Sequence, residues 1–203
     1  MDANPPIQSL IQAAQMAAIE CTTTPTKVCF EPTSVPKAAR ISQCEHFMST
    51  ISYAFPNLDE LFAMARQDDD KYVDGHQSCY QFNVNDVRAA ATEVLYRCHP
   101  IEAHLIITMG PEGVLLASKY ATSSQILFQH FEVAASSTSS LSPDTVNCTG
   151  AGDTLTGTFI AALLQGSNEK EAVTIGMEAA VLSLACQDRT ISPLLSSFVV
   201  TTT

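Results

Sequence analysis

Short β-rich runs alternate with helical segments along the chain, and this alternation limits the folds that the sequence can adopt. The β-rich runs stand at 27–31, 51–55 and 104–108, and the helical segments at 7–20, 37–50, 58–66 and 83–98. Parallel strands need a long crossover, most often a helix, so we predict an α/β fold with a mostly parallel sheet. The runs 113–118 and 126–133 follow after short turns and predict an antiparallel edge.

The composition indicates one folded domain and excludes several classes of partner. Hydrophobic residues make up 46% of the 203 residues and charged residues 15%, which is typical of a globular core and atypical of disorder. The net charge of −11 repels phosphate backbones and anionic lipids, so we expect no nucleic-acid and no membrane partner. A local anion site built from backbone N–H groups remains compatible with this charge.

The cysteines and the N-terminus predict a cytoplasmic protein. There are seven cysteines, an odd number, and none are spaced as CxxC, which favours reduced thiols over a disulfide framework or a zinc site. The first residues contain Asp2, Pro5 and Pro6 and no basic region, so they do not resemble a signal peptide. No apolar run approaches the length needed to span a membrane.

The segment from Asn147 to Asp153 carries the strongest chemical signal. Gly150 and Gly152 allow the backbone to approach a ligand closely, and the helix that follows supplies unsatisfied N–H groups at its positive end. Asp153 would then lie beside a bound phosphate, where a general base can deprotonate an attacking hydroxyl. The alternative is a glycine-rich turn in which Asp153 only interacts with the helix dipole. The strand–glycine–helix context favours the functional interpretation.

This segment also carries a family resemblance. Thr149-Gly-Ala-Gly-Asp153 resembles the C-terminal signature of the ribokinase-like (PfkB) carbohydrate kinases. The resemblance implies a three-layer α/β/α fold, Asp153 as catalytic base, and the amides of Gly150, Ala151 and Gly152 as the anion hole for the transferred phosphate. It also implies ATP and Mg²⁺ as cofactors and a small sugar or nucleoside as the substrate.

Two further segments fit the same resemblance in the expected order. Asn57-Leu-Asp-Glu60 looks like the family's Asn-x-x-Glu motif, which implies that Asn57 and Glu60 help to hold magnesium and phosphates; the alternative is an ordinary capping box. The segment from Thr108 to Gly113 resembles the family's Thr-x-Gly-x-x-Gly nucleotide segment. The nucleotide would then be contacted by Thr108, Gly110, Gly113, Asn57 and Thr149. The alternative interpretation of the segment from Thr108 to Gly113 is a tight turn that only links two strands.

Three less specific sequence segments favour one subfamily. Asn147-x-Thr-Gly-Ala-Gly-Asp153, Glu31-Pro-Thr-x-x-x-Lys37 and the late Leu182-Ser-Leu…Ser192-Pro193 look most like pseudouridine kinases, which favours a pseudouridine-like substrate. Many relatives carry Asp where Asn147 stands, at a position associated with a monovalent cation. The amide lacks that negative charge, so we expect no potassium activation.

The resemblance covers only the later part of the family fold. The family's N-terminal part, with its Gly-Gly sugar motif and small β lid, has no counterpart upstream of Asn4. We therefore expect residues 1–203 to form a single truncated kinase domain, and self-association through an exposed sheet edge. The same feature supports an alternative function, a catalytically silent fragment that binds nucleotide or a partner subunit.

The histidines do not indicate a second chemistry. His104 lies within the run His104–Thr108 and is expected to be a satisfied core or edge residue rather than a base. A nucleophilic pair such as Cys148 with His130 has no supporting spacing. No pair of histidines has the spacing of metal ligands.

Overall fold

The computed structural model describes residues 26–65, 83–133 and 149–185, together with positions 9, 12, 13 and 16. Within these residues a five-stranded sheet has the strand order β1-β2-β3-β4-β5. The strands are β1 (Val28–Phe30), β2 (Ile51–Ala54), β3 (Glu102–Thr108), β4 (Val114–Tyr120) and β5 (Leu127–Phe131). The helices are α1 (Val35–Ser42), α2 (Glu45–Met48), α3 (Leu58–Ala65), α4 (Val84–Arg97), α5 (Ala151–Leu164) and α6 (Glu169–Leu184).

The sheet confirms the predicted architecture. Strand β2 pairs in parallel with β1 and with β3, with Tyr53 opposite Cys29 on one side and His104 on the other. Strands β3, β4 and β5 are neighbours in the sheet and follow one another through short turns, a connection that only antiparallel strands can make. The sheet is therefore mixed, with its antiparallel part at the β5 edge.

The described chain divides into two compact units. The first contains Met1–Ile107 and Ala117–Phe128, and the second contains Thr108–Leu116 and Gln129–Thr203. In the first unit, helices α1 and α4 pack on α3, and side chains of β2 and β3 are almost completely buried. In the second unit, α5 and α6 pack on each other. The expectation of a single domain stays a prediction.

The helix predicted at 37–50 is wrong in its extent, because the structure has two helices there. Helix α1 ends at Ser42 and α2 begins at Glu45, with Cys44 at φ −98° and ψ 84° between them. In one continuous helix, at about 100° per residue, Phe47 would point about 120° away from Ile41 and about 180° away from Ala38. The break lets Phe47 bury its ring edge-on against Phe30, with ring centroids 5.6 Å apart.

The other helix predictions are confirmed to within a few residues where the structure describes them. Pro36 lies in the first turn of α1, as expected for proline. Asn83 caps α4 by accepting a hydrogen bond from the Asn85 N–H at 3.0 Å. Of the predicted helix at 7–20, the four described positions are helical and the rest lies outside the described residues, as do Asn147 and Cys148. No helix within the described part is long and apolar enough to cross a membrane.

Candidate active site

The first turn of α5 offers backbone N–H groups without a side-chain cap. Its N-cap is Gly150, which has a left-handed φ of 81° and no side chain to accept a hydrogen bond. The first N–H groups of a helix have no acceptor within the helix, so those of Ala151, Gly152 and Asp153 are available to an anion. A Cβ placed on Gly152 would meet no atom of the described residues within 4 Å, so none of them crowds this turn.

Asp153 occupies the first turn of the same helix and is exposed. The two following residues, Thr154 and Leu155, are buried at 6% and 3% exposure, so the buried side of the turn is already filled. The carboxylate therefore faces away from the core, in the same turn as the uncapped N–H groups. This arrangement is chemically suited to accept a proton from a hydroxyl while the amides bind a phosphate.

Helix α6 fixes the start of α5 from the buried side. The Thr154 hydroxyl donates to Ser183 Oγ at 3.4 Å, and both residues are buried. A Cβ on Gly176 would lie 3.0 Å from the carbonyl oxygen of Leu155, so the two helices are in close contact at this point. Glycine at 176 therefore permits the packing that holds the first turn of α5 in place.

The segment from Thr108 to Gly113 forms the predicted tight turn. Thr108 ends β3, and Gly110–Glu112 makes one turn of 3₁₀ helix. The Met109 N–H donates to the Gly113 carbonyl at 2.8 Å, and the Gly113 N–H donates to the Gly110 carbonyl at 3.1 Å. Gly110 and Gly113 have φ values of 59° and 88°, a region that favours glycine. The turn is confirmed, and its contact with a nucleotide stays a prediction.

Asn57 and Glu60 form a reciprocal capping box at the start of α3. The Glu60 N–H donates to Asn57 Oδ1 at 2.9 Å, and the Asn57 N–H donates to Glu60 Oε2 at 2.9 Å. The cap that was the alternative interpretation is therefore present, and it does not exclude a ligand role. The second oxygen, Glu60 Oε1, has no hydrogen bond to any described residue. Carboxylate and amide oxygens are suitable ligands for magnesium, so the residues fit this ion.

Glu60 is unusually buried for a carboxylate, with 4% of its surface exposed. Burial raises the pKa of the Glu60 carboxyl above its usual 4.5. The backbone hydrogen bond from Asn57 acts in the opposite direction, and the nearby charge of Asp59 raises the pKa further. A buried carboxylate with this environment is a common feature of functional sites.

The predicted site residues are distributed over both units. Thr108, Gly110 and Gly113 belong to the second unit together with Thr149–Asp153, whereas Asn57 and Glu60 belong to the first. His104 is a core residue, as expected: it is fully buried, its Nδ1 lies 2.9 Å from Ser118 Oγ and its Nε2 3.4 Å from Glu102 Oε1, and its ring stacks on Tyr53. From the sequence, His130 is only a candidate partner of Cys148, and its contact with the Thr108–Gly113 turn is not predicted. The alternation of residues along β5 could have assigned His130 to one face of the strand, but no local sequence pattern indicates its contact with Glu112.

Known proteins resemble this chain in sequence and in fold. The chain is 28% identical over 189 residues to a pseudouridine-metabolizing bifunctional protein of Schizosaccharomyces pombe; the match covers 79% of this chain and 25% of that protein. It is similar in structure to ribokinase from Thermotoga maritima, with a TM-score of 0.62, 22% identity, and coverage of 95% of this chain and 53% of that one. Ribokinase from Arabidopsis thaliana has a TM-score of 0.56 and 15% identity, with coverage of 100% and 62%.

The chain thus spans a quarter of its curated relative and 53–62% of these two ribokinases. The structural likeness, at 15–22% identity, confirms the predicted ribokinase-like fold. Family membership comes from the sequence itself, because the profile of one family matches residues 6–194. The chain belongs to the pfkB family of carbohydrate kinases.

Proposed function

We propose that the protein transfers a phosphoryl group from ATP to a hydroxyl of a sugar or nucleoside, with a pseudouridine-like compound as the favoured substrate. The single observation that carries this proposal is the first turn of α5, where the exposed Asp153 lies beside uncapped N–H groups. Family membership gives this turn its context. The Arabidopsis ribokinase is described in complex with ribose and ATP, and the Schizosaccharomyces pombe relative as metabolizing pseudouridine.

The chemistry assigned to the site is a single displacement at phosphorus. Asp153 takes the proton of the substrate hydroxyl as its oxygen forms a bond to the γ-phosphorus, and the bond from that phosphorus to the β–γ bridging oxygen breaks. The amides of Gly150, Ala151 and Gly152 donate hydrogen bonds to the transferred group. General-base catalysis contributes about 10²–10⁴-fold, and one lost anion-hole donor costs about 10²–10³-fold.

The remaining predicted residues bind the nucleotide and its metal. Thr108, Gly110 and Gly113 contact the nucleotide, and Thr149 and Asn57 contact its phosphates. Asn57 Oδ1 and Glu60 Oε1 would hold Mg²⁺, mostly through water, because the capping box already uses part of their hydrogen-bonding capacity. When bound, magnesium neutralises charge on the phosphates during transfer.

Formation of ADP from Mg-ATP tests the proposal, with pseudouridine, uridine and ribose as acceptors. We expect turnover with at least one of them, and Asp153→Asn should lower kcat by about 100-fold or more while leaving nucleotide affinity within about twofold. Asp86→Asn is the matched control, because Asp86 is also an exposed acid in the first turn of a helix. Unchanged turnover in Asp153→Asn would refute the assignment of the base.

A thermal-unfolding measurement with Mg-ADP, made beside the ADP assay, separates catalysis from nucleotide binding alone. Thermal stabilisation by Mg-ADP without turnover on any acceptor would assign this chain to nucleotide binding, the alternative that the sequence left open. If Mg-ADP does not stabilise the protein and no acceptor is turned over, both functions are contradicted.

A further inference from the structure

Strand β5 contacts the Thr108–Gly113 turn through a histidine side chain. His130 Nε2 lies 2.5 Å from the carbonyl oxygen of Glu112, which is the last residue of the 3₁₀ turn. A carbonyl oxygen can only accept a hydrogen bond, so Nε2 carries the proton and donates it. His130 and Glu112 are both exposed and both belong to the second unit. The bond therefore ties a surface turn to the adjacent strand segment.

The residue next to His130 makes a second contact with the same turn. A Cβ on Gly113 would lie only 2.0 Å from the carbonyl oxygen of Phe131, a distance that no real Cβ could occupy. The backbone of β5 therefore passes directly against the end of the turn. Consecutive residues of one strand thus restrain Glu112 and Gly113, while the bond between Met109 N–H and the Gly113 carbonyl closes the turn internally.

We propose that His130 is a positioning residue for nucleotide binding. This inference rests on the proposed function, in which the Thr108–Gly113 turn contacts the nucleotide. The hydrogen bond from His130 fixes the orientation of the Glu112–Gly113 peptide group and so of the backbone groups around it. A turn held in its binding conformation spends less free energy on ordering when the ligand arrives. His130 makes no contact with the reacting groups in this scheme, so its loss affects binding rather than the chemical step.

The test uses three substitutions of His130 and two measurements. Gln places an amide N–H near the position of the histidine Nε2 and can still donate to the Glu112 carbonyl, whereas the shorter Asn places its amide near Nδ1 and cannot. Loss of one such bond weakens binding about twofold to tenfold. We therefore expect His130→Ala and His130→Asn to raise the Kd of Mg-ADP, measured by calorimetry, by that factor, and His130→Gln to restore it to within about twofold.

Steady-state kinetics supply the second measurement. In His130→Ala the KM for ATP should rise about as much as the Kd, whereas kcat and the KM for the acceptor should stay within about twofold of the wild type. A general loss of folded protein would lower all activities together and would not be rescued by Gln alone. His46→Ala, at another exposed histidine, is the control for removal of a surface imidazole.

The outcomes distinguish this inference from the function on which it rests. If the wild-type chain binds no adenine nucleotide, the proposed function fails and the role of His130 fails with it. If the wild type binds Mg-ADP and His130→Ala binds it equally well, only the role of His130 is overturned. Equal effects of the Gln and Asn variants would also overturn it, because the hydrogen bond would then not be the cause.

Discussion

Glu60 is a single residue whose two roles differ in the charge that they favour, since it caps a helix from a buried position and is assigned to magnesium binding. The capping bond needs only an acceptor oxygen, which glutamine also provides. Ionisation in a buried site costs free energy, whereas a negative charge on the ligand strengthens the binding of magnesium. We therefore expect Glu60→Gln to be at least as stable as the wild type at neutral pH, and to need more Mg²⁺ for half-maximal turnover.

The pH dependence of stability follows from the raised pKa of Glu60. A carboxyl whose pKa is higher in the folded than in the unfolded state favours folding when protonated, so its contribution is present below pH 4.5 and is lost as the pH rises through the folded pKa. The stability of Glu60→Gln relative to the wild type should therefore increase between pH 4.5 and about pH 7, measured by urea unfolding. Glu171→Gln is the matched control, because Glu171 closes the same kind of capping box from an exposed position. If the unfolding free energies of Glu60→Gln and the wild type change equally with pH, the proposed free-energy cost of burying the ionised Glu60 carboxylate is contradicted.

At the scale of helices and strands, the sequence predicts the features that depend on neighbouring residues. The start of α6 is specified by Asn168 and Glu171, whose Asn-x-x-Glu spacing is that of a capping box and which form one, and the run 104–108 is apolar enough to require a buried strand. The break between α1 and α2 depends instead on the burial of Phe47 against Phe30, seventeen positions earlier in the chain. The contacts of His130 and Phe131 with the Thr108–Gly113 turn likewise join residues far apart in sequence, and no periodicity encodes them.

The same distinction holds for the candidate site. The place of Gly150, Gly152 and Asp153 at the start of a helix could be predicted from the strand–glycine–helix pattern, and their role in anion binding and catalysis stays a prediction. The burial of Glu60 could not, since Asn57-Leu-Asp-Glu60 reads identically whether its carboxylate is exposed or enclosed. How closely α6 approaches α5 is also absent from the sequence, because Gly176 and Gly157 look alike until the packing of their helices is known.

These two glycines provide a prediction about the contact between α5 and α6. Gly157 lies inside α5, and a Cβ added to it would meet no described residue within 4 Å, so Gly157→Ala should stabilise the protein by about 0.5–1 kcal/mol through helix propensity alone. Gly176→Ala gains the same propensity but places a Cβ 3.0 Å from the Leu155 carbonyl, and backbone cannot yield easily. We expect a net loss of about 1–3 kcal/mol, as for other overpacked contacts. Urea unfolding of both variants measures the difference, and equal stabilisation by both would show that the helices separate without cost.

At the scale of the whole molecule, the outer strands of the sheet determine how copies of the chain can meet. Among the described strands, β1 and β5 each have one neighbour, and no described strand pairs with the backbone groups along the other edge of either. Strand β5 has five residues and β1 has three, and β5 also carries Leu127, whose surface is 56% exposed. The net charge of −11 opposes association, because any two copies repel each other. The two effects depend differently on salt, since screening weakens the repulsion and leaves the apolar contact in place.

We therefore predict that the chain self-associates through β5, and more strongly as ionic strength rises from about 50 to about 500 mM. Leu127→Lys should weaken association about tenfold or more, because it replaces apolar contact area with a charge on an edge strand. Leu164→Lys is the control for charge and hydrophobicity, since Leu164 is 84% exposed at the end of α5, outside the sheet. Sedimentation equilibrium of the three proteins measures the dimer constant. Association that weakens with salt, or that Leu164→Lys reduces as much as Leu127→Lys does, would contradict an interface formed by the edge of β5.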